Sequence, residues 1–159
     1  MTQHPIQHRK LWLEQLIKEN DFRFGAELGV HEGVTHFYLM DVFPDLRMIG
    51  VDQYQGIQLK YWAAVDLKLK DYIGRSTFYR MTTAEAARRV KDESLDFVFI
   101  DADHSYNSVL ADIKNWAPKV KPGGYISGHD INMSSVKRAV KETVGNYNTA
   151  WDDVWYIKK

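Results

Sequence analysis

The sequence contains no cysteine among its 159 residues. Disulfides, thiolate metal sites and cysteine nucleophiles are therefore excluded. Net charge is also missing: 21 acidic residues balance 21 basic ones. That argues against a dedicated nucleic-acid binder, a class that is normally basic overall. No apolar run approaches the roughly 20 residues of a membrane-spanning helix. Met1–Lys10 is polar and lacks the apolar stretch of a secretory leader. Repeats, low-complexity tracts and linkers are absent. The expectation is a cytoplasmic protein forming one domain over residues 1–159, with an N-terminal helix within 1–22, and no nucleic-acid or membrane partner.

What is present is a generous apolar fraction of 45%, of which aromatics supply 13% of all residues. This is enough for a real core and a ligand pocket. Apolar spacing predicts helices over Gln7–Asn20, Val34–Val42, Ile57–Tyr72, Thr83–Val90, Val109–Trp116 and Ser134–Val144. In the third, Ile57, Tyr61, Val65 and Leu69 recur at four-residue steps. Thr83 is the expected cap of the fourth, in an imperfect capping box. Short apolar runs predict strands over Phe24–Gly29, Arg47–Asp52, Ser76–Met81, Leu95–Ile100 and Tyr125–Ser127. Lys121–Gly124, "KPGG", reads as a turn before the last of these. Tyr147–Trp151 and Val154–Lys158 read as a closing hairpin about Asp152-Asp153.

Strands alternating with helices imply an α/β fold with a mostly parallel sheet. Right-handed crossovers place every strand's carboxyl end on one edge, where ligands of such sheets bind. Four predicted strands end there in polar residues: Glu27, Asp52, Asp101 and the pair His129-Asp130. Glu27 opens Glu-Leu-Gly-Val-His-Glu-Gly. Gly29 permits a positive φ or close backbone approach, and Gly33 lets the next helix pack near the turn. Such loops usually aim N–H groups at phosphate, but a carboxylate at the turn repels pyrophosphate and attracts a cation, an amine or a hydroxyl. Asp52 follows Gly33 by nineteen residues at the end of the next strand, the spacing of the acid that holds a ribose diol. The plainer alternative is a glycine turn beside a surface salt bridge.

These segments together resemble the class I S-adenosylmethionine-dependent methyltransferases. Residues 27–33 resemble the family's glycine-rich first motif, "GVDQY" its acidic second motif, "LDFVFIDADHSY" the segment after the fourth strand, and "KPGGYISGHD" the turn and fifth strand. The last two are most similar to a small branch with Asp-x-Asp-His-x-Tyr and a Pro-Gly-Gly turn before His-Asp. The resemblance implies a Rossmann-like doubly wound sheet of about seven strands, the last antiparallel. It implies S-adenosyl-L-methionine as cofactor, with Glu27, Gly29, Val30 and Gly33 at its methionine part. Asp52 is expected at the ribose, Gln53 over the adenine, Met81 and Thr82 at the adenine border, and Asp101 at the methionine amino group or a metal.

Methyl transfer to an alcohol or phenol also needs the acceptor's proton removed, by a base or a metal. Asp101, Asp103 and His104 follow the fourth strand, and His129 and Asp130 the fifth. Neighbouring strands lie about 4.8 Å apart, so these groups converge. Oxygen plus imidazole donors suit Mg²⁺ or Mn²⁺, with Asp101 and Asp130 as the expected ligands. In metal-dependent relatives the fifth strand ends in Asp-Asn or a second acid; here Ile131 follows Asp130, and Asn132 comes one place later. Without a metal, His104 or His129, oriented by Asp130, is the expected base. His31 and His36 read as surface groups, and His4 and His8 as part of a frayed start. Tyr54, Trp62 and Tyr106 are candidate walls of an acceptor pocket; Tyr61, Trp116, Trp151 and Trp155 read as packing residues. The expected acceptor is a small-molecule or glycan hydroxyl, at an exposed site or one completed by a second copy in a homo-oligomer. Two other readings compete: a non-catalytic nucleoside- or partner-binding domain of the same fold, and an NAD-dependent oxidoreductase. The latter's Gly-x-Gly-x-x-Gly pattern is broken by Glu27 and by the spacing to Gly33.

Overall fold

A computed structural model describes residues 8–159. Helix α1 (Arg9–Asn20) leads into strand β1 (Phe24–Leu28). Then follow α2 (Val34–Val42), β2 (Arg47–Val51), α3 (Leu59–Leu69), β3 (Ser76–Tyr79), α4 (Thr83–Ala87), β4 (Leu95–Ile100), α5 (Tyr106–Trp116), β5 (Val120–Gly128), α6 (Ser134–Val144), β6 (Asn148–Ala150) and β7 (Val154–Lys158). The seven strands form one sheet in the order β3-β2-β1-β4-β5-β7-β6. β1 to β5 are mutually parallel, and β7 runs antiparallel to both neighbours. The expected Rossmann-like architecture is therefore present. Strand order reverses between β1 and β4, which opens a crevice at their carboxyl ends.

The period of two along each strand divides the core. Ala26, Leu28, Val98 and Ile100 point to the face covered by α4, α5 and α6, with Val109, Ile113, Trp116 and Val140. Phe97 and Phe99 point to the other face, where α1, α2 and α3 supply Leu13, Ile17, Leu39, Met40 and Val65. Central strands buried on both faces read as continuous apolar runs, as "LDFVFI" does.

Several elements differ locally from expectation. The part of the first helix predicted at Gln7 lies outside the described residues. Ile57 is 81% exposed and belongs to a 3-10 turn rather than the α3 stripe; the apolar step of four continues past the point where the helix begins. Lys121–Gly124 is not a turn before β5 but a bulge within it: Leu95 pairs with Val120 and Phe97 with Tyr125, so four residues oppose Asp96 alone. The cap of α4 is Thr82, not Thr83. Thr82 takes the extended backbone a cap needs, its Oγ1 accepts from Glu85 N, and Glu85 returns a bond to Thr82 N. This complete capping box ties down the loop after β3.

Candidate active site

A cleft of about 760 Å³ opens at the carboxyl ends of β1, β2 and β4. Its floor is the loop after β1. Gly29 has φ 86°, and a Cβ there would lie 2.1 Å from the Asp101 carbonyl oxygen, so no side chain is tolerated. Gly33 has φ 79° and caps α2 from the left-handed region, with the Phe37 ring across the space a Cβ would need. Glu27 lines the cleft yet is only 3% exposed. Its Oε2 lies 3.5 Å from Nδ1 of buried His36, whose Nε2 is 3.1 Å from Ser76 Oγ. Burial pushes the Glu27 carboxyl up, and the His36 contact opposes that shift. The carboxylate at the glycine turn thus has an imidazole partner behind it.

Asp52 is held from both sides. Its Oδ2 accepts from His31 N at 3.0 Å and its Oδ1 from Tyr54 N at 2.9 Å. The Tyr54 hydroxyl donates to the His31 carbonyl at 2.7 Å. This carboxylate is preorganised before any ligand arrives, with lone pairs left to face the cleft. Gln53 is exposed beside it, and Met81 and Thr82 line the cleft nearby.

Asp101, His104, His129 and Asp130 converge, whereas Asp103 does not join them: it accepts from Ser105 N and Ser108 Oγ, each at 2.9 Å. His104 Nε2 lies 2.7 Å from Asp130 Oδ2 and 3.7 Å from Asp101 Oδ1. His129 Nδ1 lies 3.1 Å from Asp130 Oδ2 and 3.6 Å from Asp101 Oδ1. Asp101 raises the pKa of His104 most, burial opposes, and the Asp130 charge adds to the rise. Neither His104 Nε2 nor His129 Nε2 has a well-aligned hydrogen-bond partner among the described residues. One donor atom each from Asp101, His104 and Asp130 falls within 4.8 Å of the others, a spacing open to a divalent ion.

The family model for a methyltransferase domain matches residues 26–131, from β1 through the loop after β5. The chain belongs to this methyltransferase family. Among solved structures, the fold of this methyltransferase domain is similar to CalS11, a TDP-rhamnose 3'-O-methyltransferase of calicheamicin biosynthesis, at TM-score 0.73 and 16% identity, with 94% of this chain and 78% of that chain covered. It is similar to a Staphylococcus aureus protein provisionally assigned as a caffeoyl-CoA O-methyltransferase, at TM-score 0.70 and 19% identity, with 98% and 86% covered. It is also similar to cofactor-bound Rv0187 from MTB, at TM-score 0.70 and 18% identity, with 98% and 82% covered. At these identities the likeness is one of fold. An uncharacterised protein of Sinorhizobium fredii, y4gI, is 28% identical over 133 residues, covering 77% of this chain; the chain spans 14% of that protein's length.

Within the methyltransferase domain, Glu27, Gly29, Val30 and Asp101 line the cleft along with Asp52, Gln53, Met81 and Thr82. Gly33 stands behind as the α2 cap. His104 also lines it, whereas His129 and Asp130 do not; Asp130 Oδ2 meets His104 Nε2 at 2.7 Å. His36 is not a surface group: with Thr35, Leu39 and Met40 it forms the inner face of α2 and is fully buried. The Asn132 amide N–H donates to Asp153 Oδ2 at 2.8 Å. Tyr54 is a buried packing residue between Trp62 and Phe78 rather than an exposed wall. Trp151, 37% exposed at the β6–β7 turn, is not core. His4 lies outside the described residues; His8 is not frayed but caps α1, its Nδ1 accepting from Lys10 N.

Three cleft features were missed from sequence. Arg9 Nε lies 3.1 Å from Asp101 Oδ2, and Arg9 N donates to Asp152 Oδ2 at 2.7 Å. A cation in the first turn of a helix works against the helix dipole and signals an acidic partner elsewhere. Asp152, read only as a turn residue, also faces His129 Nε2 at 3.7 Å. Asp112 interrupts the apolar stripe Val109–Ile113–Trp116 of α5, an anomaly visible in the sequence. Among the described residues, no helix is long and apolar enough to cross a membrane.

Proposed function

We propose that this domain transfers a methyl group from S-adenosylmethionine to a hydroxyl oxygen of a small molecule or glycan. The observation that carries the reading is a preorganised carboxylate, Asp52, and an imidazole-carboxylate group about His104 facing one cleft over a glycine turn. The cofactor, when bound, supplies a sulfonium-activated methyl. Asp52 accepts from the ribose hydroxyls, Gln53 covers the base, and Met81 and Thr82 border it. Glu27 and Asp101 face the amino group of the methionine part, beside Gly29 and Val30. His104 takes the acceptor's proton at Nδ1, and Asp130, steadied by His129, holds Nε2 and so orients the ring. The cleft holds acceptor and methyl in line, the main contribution such a site makes.

The residues also fit a divalent ion. Asp101, His104 and Asp130 would hold Mg²⁺ or Mn²⁺, which would polarise the acceptor hydroxyl. The Arg9 guanidinium on Asp101 Oδ2 already balances part of that charge, which favours the metal-free version. The O-methyltransferase names of CalS11 and the Staphylococcus aureus protein support oxygen as the acceptor atom. The test is release of S-adenosylhomocysteine over a panel of sugar, phenol and alcohol acceptors, with and without chelator. Turnover with a hydroxyl acceptor supports the reading. Cofactor binding with no turnover on any acceptor, with or without metal, would leave a nucleoside-binding domain instead.

A further inference from the structure

α5 is amphipathic, and Val109, Ile113 and Trp116 on its inner stripe are buried. Asp112 shares that stripe and is 4% exposed, although a buried carboxylate is costly unless its oxygens are satisfied. One of them is: Oδ1 accepts from Thr83 Oγ1 at 2.5 Å. Oδ2 has no hydrogen-bond partner among the described residues, and Asp112 lines the cleft where α4 and α5 meet, with Met81, Thr83, Ala84, Ser108 and Ala111.

The other polar side chains at this end are already committed. The Thr82 hydroxyl is used in the capping box with Glu85. The Thr83 hydroxyl donates to Asp112 itself, and the Ser108 hydroxyl donates to Asp103 Oδ2 at 2.9 Å. Asp112 Oδ2 is thus an uncommitted acceptor in an otherwise satisfied, partly apolar end of the cleft. A ligand group that completes it must carry an N–H or O–H, beside the apolar side chains of Met81, Ala84 and Ala111.

We propose that Asp112 is a specificity-determining residue that reads the amino edge of the cofactor's adenine, accepting the exocyclic N–H at Oδ2 and so selecting an aminopurine nucleoside over its oxo counterpart. This rests on the cofactor reading above and adds the residue that recognises the base. Thr83 positions Asp112 by holding Oδ1, which aims the second oxygen along the cleft. Burial, with some help from the Asp103 charge, pushes the Asp112 carboxyl up to about 6, and the Thr83 bond opposes that rise. At pH 8 the group is therefore ionised and only accepts. An oxo group facing it then meets two acceptors with no proton between them, an unpaired arrangement that polar sites reject strongly. At pH 5 the protonated carboxyl donates instead, and the oxo group is accommodated.

The test is calorimetric binding of S-adenosylhomocysteine and of its deaminated analogue, in which hypoxanthine replaces adenine. For the unaltered protein at pH 8, the adenine compound should bind at least about tenfold more tightly, the worth of one well-made hydrogen bond to a charged group. That ratio should shrink at pH 5, where protonation of His104 affects both compounds alike and cancels. Asp112→Asn, whose amide both donates and accepts, should bring the pH 8 ratio close to one. Equal affinities in the unaltered protein, or a ratio that Asp112→Asn leaves unchanged, overturn the proposal while leaving the cofactor assignment intact. Failure of both compounds to bind overturns the cofactor assignment itself. The two-pH comparison on the unaltered protein decides the matter even if the variant does not fold.

Discussion

At the scale of single residues, the cleft separates groups that hold a ligand from groups that act on one. Asp52 is fixed by two backbone N–H groups, so His104→Ala and Asp52→Ala should have opposite signatures. The first should lower turnover by roughly 10²–10⁴-fold with little change in cofactor affinity, the range for a general base. The second should weaken S-adenosylmethionine binding by about 1–3 kcal/mol. Single-turnover kinetics beside calorimetry separates them; loss of both properties in His104→Ala would make that residue structural. Asp112 permits a prediction on stability alone. Its carboxyl is raised from 3.8 to about 6 in the folded protein. Below pH about 4 both folded and unfolded forms are protonated, and no penalty exists. Between about 4 and 6 the folded form binds more protons, so stability falls as pH rises; above about 6 a penalty of about 3 kcal/mol is fully in place. Asp112→Asn should remove that slope, read as urea midpoints across pH 4–8. Parallel curves for the two proteins would mean that burial of this group costs nothing.

At the scale of elements, the loops after β1 and β2 behave as one unit. His31 and Tyr54 both take positive φ, 52° and 48°, a conformation that is strained for a bulky residue such as tyrosine. Both are held there by Asp52 and by the Tyr54 hydroxyl on the His31 carbonyl. Tyr54→Phe keeps the ring packed against Trp62 and Phe78 but frees that carbonyl. Stability should drop by about 1 kcal/mol, and cofactor affinity should fall with it because Asp52 loses its brace. A denaturation midpoint unchanged from the unaltered protein would show the loops to be independent. The same elements show what could be read in advance. The strands were legible because "LDFVFI" and "RMIGVD" carry their burial in a local pattern, and the acids at their ends followed from topology. The cap of α4 was misplaced by one residue because Thr82 and Thr83 are chemically alike and only backbone geometry chooses between them. His36 was misread because its neighbours in α2 allow either face. Arg9 on Asp101 was not legible at all: the contact spans most of the chain, and no local spacing encodes it.

For the whole molecule, the cleft is bordered by elements from both ends of the chain. The start of α1 reaches it through Arg9, whose backbone N–H is tied to Asp152 of the β6–β7 turn, while the floor belongs to β1, β2 and β4. A ligand seated there touches loops that the sheet alone does not tie together, so occupancy should stabilise the fold as one cooperative body. A compound that binds only the folded form contributes about 2.7 kcal/mol at a concentration one hundred times its Kd. For a chain of this size that raises Tm by roughly 5–10 °C. Differential scanning fluorimetry with S-adenosylhomocysteine should show this shift. NAD should show none, because its pyrophosphate would meet Glu27 beside the glycine turn. Arg9→Ala should lower the Tm of the free protein yet leave the ligand-induced rise largely intact, since Asp52 and the glycine turn do not depend on it. A rise with NAD equal to that with the sulfur nucleoside would refute the electrostatic logic of the cleft. A rise abolished by Arg9→Ala would show instead that α1 closes over the ligand.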